Sequence, residues 1–174
     1  SRVAKIKRDI DQMYVILPFE KAFYKKYNYE VNFVGHPLID TIADRQQIDE
    51  ASFRKENNLG EKPIIALLPG SRRQEIIKML HVMLSLMKEF DNYQFVIAGA
   101  PSQQYSFYKE IIGERKVAFV NNNTYNLLSI SYAALVTSGT ATLETALFKV
   151  PQVVCYKGSN ISYQIAKRII TLEY

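Results

Sequence analysis

Short apolar runs alternate with helical patterns along most of the chain, and this alternation restricts the possible folds more than any other feature. From Pro63 onward, five runs have the length and the β-branched or aromatic content of buried strands, and the segments between them have apolar residues at helical spacing. The predicted strands are 64–68, 93–98, 116–120, 132–137 and 150–156. Strands that alternate with helices indicate βαβ units. The sequence therefore predicts an α/β fold with a mostly parallel sheet and helices on both faces.

The helices predicted between and after these strands follow the same logic. The clearest has apolar residues at 76, 80, 83, 87 and 90, which form one buried face. Ser102 is a predicted cap for the helix that follows it. The predicted helices are 75–90, 103–112, 124–130, 140–148 and 161–170.

The first third of the chain has a less regular pattern. The segment 13–19 is predicted as a buried strand, 19–28 as a helix and 31–35 as a second strand. Gly35-His36-Pro37 then interrupts the pattern, and a polar stretch continues to about residue 49. A helix is predicted over 51–59, with Gly60 as its C-terminal stop.

The loop Pro69-Gly70-Ser71-Arg72 follows the first strand of the clear series. Glycine allows backbone amides to approach a ligand closely, and the next helix directs its positive N-terminal end at the same place. Arg72 adds a planar cation suited to phosphate. A simple turn with a solvated arginine explains the same residues equally well, so both interpretations stay open at this point.

A second loop, Thr137-Ser138-Gly139-Thr140, opens the helix predicted before the last strand. Its small residues offer amides and hydroxyl groups to a phosphate. Glu144 lies one helical turn further on, where a carboxylate can accept two hydrogen bonds from a ribose diol. This loop also lies where ligands bind in parallel α/β sheets. The alternative is a capped helix with a solvated glutamate.

Composition and motifs exclude several classes of protein. No apolar run approaches the roughly 20 residues that span a bilayer, and we expect no signal peptide. The single cysteine, Cys155, cannot form an internal disulfide, which favours a cytosolic setting. The motifs GxxxxGK[ST], GxGxxG and Gly-x-Ser-x-Gly are absent, and no metal-ligand spacing is seen, so no metal is predicted. His81 is predicted to be structural.

The formal net charge of +5 favours anionic partners. Basic residues cluster in two places near aromatic side chains, and solvated helix faces or contact with an anionic membrane surface both account for them. No RNA-recognition fingerprint is present, and no nucleic-acid partner is expected. The two clusters are Arg2, Lys5, Lys7 and Arg8, and then Lys21, Lys25 and Lys26.

Several stretches in order resemble the lipid-A-disaccharide synthase family, which consists of GT-B glycosyltransferases. Each stretch alone is a modest signal, whereas the ordered set is specific and covers essentially the whole chain. The stretches are Leu17-Pro18-Phe19-Glu20 with Phe23-Tyr24, Phe33-Val34-Gly35-His36-Pro37-Leu38-Ile39-Asp40, Leu67-Leu68-Pro69-Gly70-Ser71-Arg72, Thr137-Ser138-Gly139-Thr140-Ala141-Thr142-Leu143-Glu144 and Ala166-Lys167-Arg168.

The resemblance implies an enzyme with two Rossmann-like halves and an active site between them. It implies transfer, with inversion, of 2,3-diacylglucosamine from UDP to 2,3-diacylglucosamine 1-phosphate, known as lipid X, without a cofactor. The products are the lipid A disaccharide 1-phosphate and UDP. The resemblance further implies a Gram-negative organism and a cytoplasmic enzyme held peripherally at the inner face of the inner membrane.

The resemblance also divides the chain and assigns its site. Residues 1–35 are predicted as the end of an N-terminal acceptor domain, 36–40 as the interdomain crossing and 41–174 as a truncated C-terminal domain that binds the UDP-sugar. The catalytic base is expected in the missing N-terminal part, so the fragment is expected to bind nucleotide at most. A homodimer is an open expectation, since truncation would expose apolar surface. The residues expected to contact UDP are Gly70, Ser71, Arg72, Ser138, Gly139, Thr140 and Glu144, and Arg72 is also expected to stabilise the leaving group.

Other functions stay open beside this one. A UDP-N-acetylglucosamine 2-epimerase and the N-acetylglucosaminyltransferase of peptidoglycan synthesis share the architecture. A non-catalytic nucleotide-binding module is a second alternative, because the expected base is missing. A structural or nucleic-acid-binding protein is a third, and salt-sensitive RNA binding would support it.

Overall fold

The structure is a computed structural model that describes residues 2–157. Contacts within the chain form two compact units, and the boundary between them in the sequence falls between Gln47 and Ile48. Each unit is described by itself. The domain limits at 35 and 40 stay a prediction.

Among residues 2–47, the first unit contains three short helices and a two-stranded parallel sheet. Its strands pair Tyr14 with Asn32 and Val15 with Phe33. The elements in chain order are α1 (Arg2–Asp9), β1 (Tyr14–Val15), α2 (Pro18–Lys25), β2 (Asn32–Phe33) and α3 (Pro37–Ala43).

The strand predicted over 13–19 is much shorter because Pro18 begins α2. Proline suits the first helical turn, where its missing N–H would have had no partner. At the N-cap of α2, the Leu17 amide donates to the Glu20 carboxylate at 2.9 Å. Pro37 begins α3 in the same way, and His36 Nδ1 accepts from the Leu38 amide at 3.2 Å. The predicted break at 35–37 is therefore a helix start, and α3 occupies the predicted crossing.

The second unit contains five strands and five α-helices among its described residues. All five strands predicted after Pro63 are present. The first has the predicted ends, and the ends of the other four differ from the prediction by no more than two residues. The elements are α4 (Glu50–Glu56), β3 (Ile64–Leu68), α5 (Arg73–Ser85), β4 (Gln94–Gly99), α6 (Tyr105–Ile112), β5 (Ala118–Asn121), α7 (Thr124–Ser129), β6 (Ser131–Thr137), α8 (Thr140–Leu147) and β7 (Gln152–Cys155).

The five strands form one parallel sheet in the order β5-β4-β3-β6-β7. The chain builds outward from β3 through β4 to β5, returns to place β6 on the other side of β3, and continues to β7. This order is that of a Rossmann-like half-sheet, so the predicted fold class is confirmed.

The two faces of the sheet bury separate hydrophobic cores. Successive strand residues point to opposite faces, so Ala66 and Val96 belong to one core while Leu67 and Ile97 belong to the other. Helix α7 supplies Leu127 and Leu128 to the first core. Helices α5 and α6 supply most of the second core, through Ile76, Met79, Leu80, Met83, Leu84, Phe107, Tyr108, Ile111 and Ile112.

Asparagine follows one helix and lysine follows another in the left-handed conformation that glycine adopts most readily. Asn58 has φ of +53° just after α4, and Lys149 has φ of +59° just after α8. After α8, the Val150 amide donates to the Thr145 carbonyl at 3.2 Å and the Lys149 amide to Ala146 at 2.9 Å. These are the two bonds of a Schellman motif. Helix α4 therefore stops before the predicted Gly60.

The loop after β4 also corrects the prediction. Helix α6 begins at Tyr105, and Ser102 does not cap it. The Ser102 hydroxyl donates to the Ser71 carbonyl at 3.0 Å and so joins two strand-to-helix loops. The predicted helix 161–170 and the stretch Ala166-Lys167-Arg168 lie outside the described residues. Within residues 2–157, no helix has the length and apolar character needed to cross a membrane.

Candidate functional site

A cavity of about 440 Å³ lies in the second unit at the carboxyl ends of β3, β4 and β6. The strand order reverses between β3 and β6, and ligands bind at such a switch point in open α/β sheets. All seven residues predicted to contact UDP line this one cavity. The full lining is Leu68, Gly70, Ser71, Arg72, Glu75, Ala98, Ala100, Pro101, Thr124, Thr137, Ser138, Gly139, Thr140, Ala141 and Glu144.

The loop after β3 forms one wall, and its shape depends on Gly70. Gly70 has φ of +107°, which other residues rarely adopt. A methyl group there would lie 2.9 Å from Glu75 Oε2 and 3.2 Å from Glu75 Cβ. Glycine therefore allows the turn and allows the first turn of α5 to approach it.

Arg72 is held on the rim of the cavity by Glu75. The guanidinium Nη1 lies 2.8 Å from Glu75 Oε1, and the Arg72 side chain is 82% exposed. An exposed pair of this kind contributes little to stability, about 0–1 kcal/mol. A phosphate entering the cavity could therefore compete with Glu75 for the guanidinium. The sequence prediction did not include Glu75, although its spacing from Arg72 is that of neighbours on a helix.

The loop after β6 forms the opposite wall and opens α8. Gly139 is the N-cap of α8 and provides no side-chain cap. The Thr142 amide donates to the Gly139 carbonyl at 3.2 Å, so the amides of Thr140 and Ala141 are the ones left for another acceptor. Thr137 lies below them, with 9% of its surface exposed. Its hydroxyl oxygen is buried and has no hydrogen-bond partner among the described residues. An unpaired buried polar atom beside free amides is typical of a site that an anionic ligand completes.

Glu144 lines the cavity one turn into α8 and is held by Tyr125. The Tyr125 hydroxyl donates to Glu144 Oε1 at 2.9 Å. Burial, together with this hydrogen bond and the negative charge of Glu144, raises the pKa of Tyr125 to about 12. The sequence prediction included Glu144 but not Tyr125, because the two residues are 19 positions apart and no local pattern joins them.

The loop after β4 completes the cavity with Ala100 and Pro101. The Ala100 amide donates to the hydroxyl of Tyr108, a fully buried residue of α6, at 2.9 Å. Burial also raises the pKa of Tyr108. This buried hydrogen bond holds the start of the loop after β4 against α6.

Two other ionisable side chains of α5, those of Arg73 and His81, do not line the cavity. Arg73 is not among its lining residues, and its guanidinium lies 4.3 Å from the centroid of the Phe107 ring. That stacking indicates a packing role between α5 and α6. His81, predicted to be structural, lies on the exposed surface of α5. Among residues 2–157, no three His, Cys, Asp or Glu side chains are grouped to hold a metal ion.

The Tyr125 pKa leads to a prediction about pH. Its folded value of about 12 lies above the ordinary 10.0, so this group's contribution to stability is complete below about pH 10 and is lost as pH rises through 12. At a pH of about 10.5, folded wild type and Tyr125→Phe should show equal tyrosinate absorbance. In denaturant, wild type should absorb more. Excess tyrosinate in the folded wild type at that pH would contradict the assigned hydrogen bond.

The fold and the cavity together define a Rossmann-like α/β domain whose candidate ligand site is at the switch point of a parallel sheet. Comparison with known proteins gives the family. The family model described as lipid-A-disaccharide synthetase matches residues 1–174. The chain belongs to the lipid-A-disaccharide synthetase family.

Curated relatives agree with this assignment. A lipid-A-disaccharide synthase of Coxiella burnetii (strain Dugway 5J108-111) is 35% identical over 179 residues, which cover 100% of this chain and 47% of that protein. The synthase of Syntrophus aciditrophicus (strain SB) is 36% identical over 181 residues, with 100% and 47% covered. That of Pseudomonas putida (strain GB-1) is 35% identical over 180 residues, with 100% and 48% covered. The chain spans about half the length of these relatives.

Proposed function

We propose that the switch-point cavity binds the UDP part of a nucleotide-sugar donor. The observation that carries the proposal is the convergence of two distant loops, after β3 and after β6, on one cavity that contains a cation, free helix amides and a carboxylate. A nucleoside diphosphate needs these same three groups, two for its phosphates and one for its ribose.

The diphosphate would lie between Arg72 and the N-terminus of α8. Arg72 can exchange its exposed ion pair with Glu75 for a bidentate contact with phosphate oxygens. The first-turn amides of α8 and the Thr137 hydroxyl would donate from the other side. These donors stabilise the charge that develops on a diphosphate leaving group as its bond to the sugar breaks, so no metal is required for this step.

The ribose would lie beside Glu144, at the far side of the same cavity. A carboxylate has only acceptor oxygens, so it recognises hydroxyl groups and disfavours a second phosphate near it. The positions of Arg72 and Glu144 on different walls therefore favour one orientation of the nucleotide, with phosphates near α8's start and ribose one turn further along.

Isothermal calorimetric titration of the purified protein with UDP tests the proposal. Arg72→Ala should weaken UDP binding roughly 10- to 100-fold, because a hydrogen bond to a charged group contributes about 1.5–3 kcal/mol. Glu144→Gln should weaken it about tenfold for the same reason. Circular dichroism should show that both variants keep the wild-type fold.

Arg73→Ala is the matched control. It removes the same charge one residue away, but Arg73 stacks on Phe107 and does not line the cavity. UDP affinity should therefore stay within about twofold of wild type, the change expected from long-range charge alone. Absence of UDP binding by the folded wild-type protein, or equal losses in the Arg72 and Arg73 variants, would overturn the assignment of this cavity.

For the whole protein we propose the reaction that the family resemblance implies. A 2,3-diacylglucosamine unit would pass from UDP to the 6-hydroxyl of 2,3-diacylglucosamine 1-phosphate, with inversion at the anomeric carbon and release of UDP. The general base that removes the hydroxyl proton is expected outside residues 1–174. Mass spectrometry of the products would separate this reaction from 2-epimerisation and from N-acetylglucosamine transfer, and formation of either alternative product would overturn the proposal.

Acylated substrates also suggest contact with the inner membrane. The first unit exposes aromatic side chains beside lysines, a combination that suits an anionic headgroup layer. Sedimentation with anionic and neutral vesicles should give preferential, salt-sensitive binding to the anionic ones, and equal binding to both would contradict it. The exposed residues are Tyr14, Phe19, Phe23, Tyr27, Phe33, Lys21, Lys25 and Lys26.

A further inference from the structure

Tyr125 forms the single described hydrogen bond between α7 and the Glu144 carboxylate, and the proposed phosphate and ribose contacts do not use it. Its hydroxyl donates to Glu144 Oε1 at 2.9 Å. Its ring packs against Phe148 with centroids 5.3 Å apart. Leu127 and Leu128, further along α7, are fully buried in the core. Tyr125 therefore belongs to a helix that is anchored in the core, and its hydroxyl contacts Glu144 on α8.

The hydrogen bond leaves one carboxylate oxygen of Glu144 available. Oε1 accepts from Tyr125, and none of the hydrogen bonds described for residues 2–157 involves Oε2. A glutamate side chain has several rotatable bonds, and fixing one of its oxygens also fixes the direction of the other. Glu144 lines the cavity, so a fixed Oε2 can accept from a ligand hydroxyl without first losing side-chain freedom.

We propose that Tyr125 is a positioning residue that makes the cavity selective for ribose over 2′-deoxyribose, by holding Glu144 so that its second oxygen accepts from the 2′-hydroxyl. This inference rests on the proposed binding of UDP. A carboxylate that rotates freely could accept instead from the 3′-hydroxyl, which both sugars have, and would not discriminate between them. When one oxygen of the carboxylate is held, the other can accept a hydrogen bond only from a hydroxyl at a fixed position.

The electrostatics of the pair suit this role. The raised Tyr125 pKa keeps the phenol protonated throughout the physiological range, so it remains a donor. The hydrogen bond from Tyr125 to Glu144 Oε1 therefore persists, and Oε2 remains available as an acceptor. The other described charged residues at the cavity, Arg72 and Glu75, are paired with each other on the opposite wall.

The alternative is that the hydrogen bond only joins α7 to α8. A purely structural bond would change stability and would weaken all nucleotides alike. A positioning bond would change the ratio of two affinities. The ratio of the dissociation constants for 2′-deoxy-UDP and UDP therefore separates the two roles.

The experiment compares wild type with Tyr125→Phe, titrating each with UDP and with 2′-deoxy-UDP. Phenylalanine keeps the ring and its packing against Phe148 but removes the donor. Wild type should prefer UDP by about tenfold, the value of one hydrogen bond to a charged group. In Tyr125→Phe the preference should fall to about twofold, with the affinity for 2′-deoxy-UDP little changed. Thermal unfolding of both proteins shows whether the fold is kept, and Tyr125→Met carries the same comparison if phenylalanine is not tolerated.

Each outcome has a definite meaning. A preference for UDP that survives in the variant overturns the positioning role. Equal loss of both affinities also overturns it and indicates a structural bond. Wild type that binds UDP without discriminating against 2′-deoxy-UDP overturns this inference and leaves the proposed function standing. Wild type that binds neither nucleotide overturns both.

Discussion

Gly70→Ala is expected to destabilise the second unit by roughly 1–3 kcal/mol, the cost of a non-glycine residue in a sparsely populated backbone conformation. Its φ of +107° is one cause, and the close approach of Glu75 Oε2 and Cβ to an added methyl group is the other. Because relief of this contact must shift the loop or the start of α5, UDP affinity should also fall roughly tenfold. Urea unfolding and calorimetric titration measure the two effects.

Gly113→Ala is the matched control for the binding effect. Gly113 also has positive φ, +61°, but no atom lies within 4 Å of an added methyl group, and it does not line the cavity. Its replacement should lower stability through backbone strain and leave UDP affinity unchanged. If Gly70→Ala is as stable as wild type and binds UDP with the same affinity, the role assigned to the turn at Gly70 is contradicted.

Leu80→Ala is expected to lower the free energy of unfolding by about 2–5 kcal/mol. Leu80 is fully buried in the core between α5, α6 and the sheet, where it belongs to the same cluster as Met83 and Ile97. Truncation removes apolar contacts and leaves a cavity that a close-packed interior cannot fill. The loss is a large fraction of the total stability of about 5–15 kcal/mol that is typical of a domain.

Ile77→Ala on the same helix provides the comparison. Ile77 is 43% exposed, so its truncation should change the free energy of unfolding by much less, within about 1 kcal/mol. Urea unfolding of both variants measures the difference. Similar losses at 77 and 80 would mean that α5 does not bury the face seen in the structure.

The periodic pattern predicted the second unit well because burial imposes it. The apolar run 64–68 and the helical spacing after residue 73 reflect a sheet covered on both faces, and both elements are present. Prediction was weaker where polar residues end or begin elements. Asn58 ended a helix before the expected Gly60, and Pro37 began one where only a break was expected.

Some residues of the candidate site could be predicted from the sequence, and others could not. Gly70, Arg72, Gly139 and Glu144 could be selected because each lies just after a predicted strand, where parallel sheets bind ligands. Their convergence depended on β3 and β6 being neighbours, which the order of strands along the chain does not state. Tyr125 gave no such signal, since a hydrogen bond across 19 residues is a property of the assembled fold. Thr137 belonged to the predicted second loop, but the burial of its unpaired hydroxyl is visible only in the structure.

Apolar periodicity and turn residues act locally along the chain, so they were enough to predict the α/β class and the two loops of the candidate site. The strand order and the hydrogen bond from Tyr125 to Glu144 are visible only in the folded chain. Those contacts join residues by packing of whole elements, so their distances are set by the sheet and its two cores, and no local pattern in the chain encodes them.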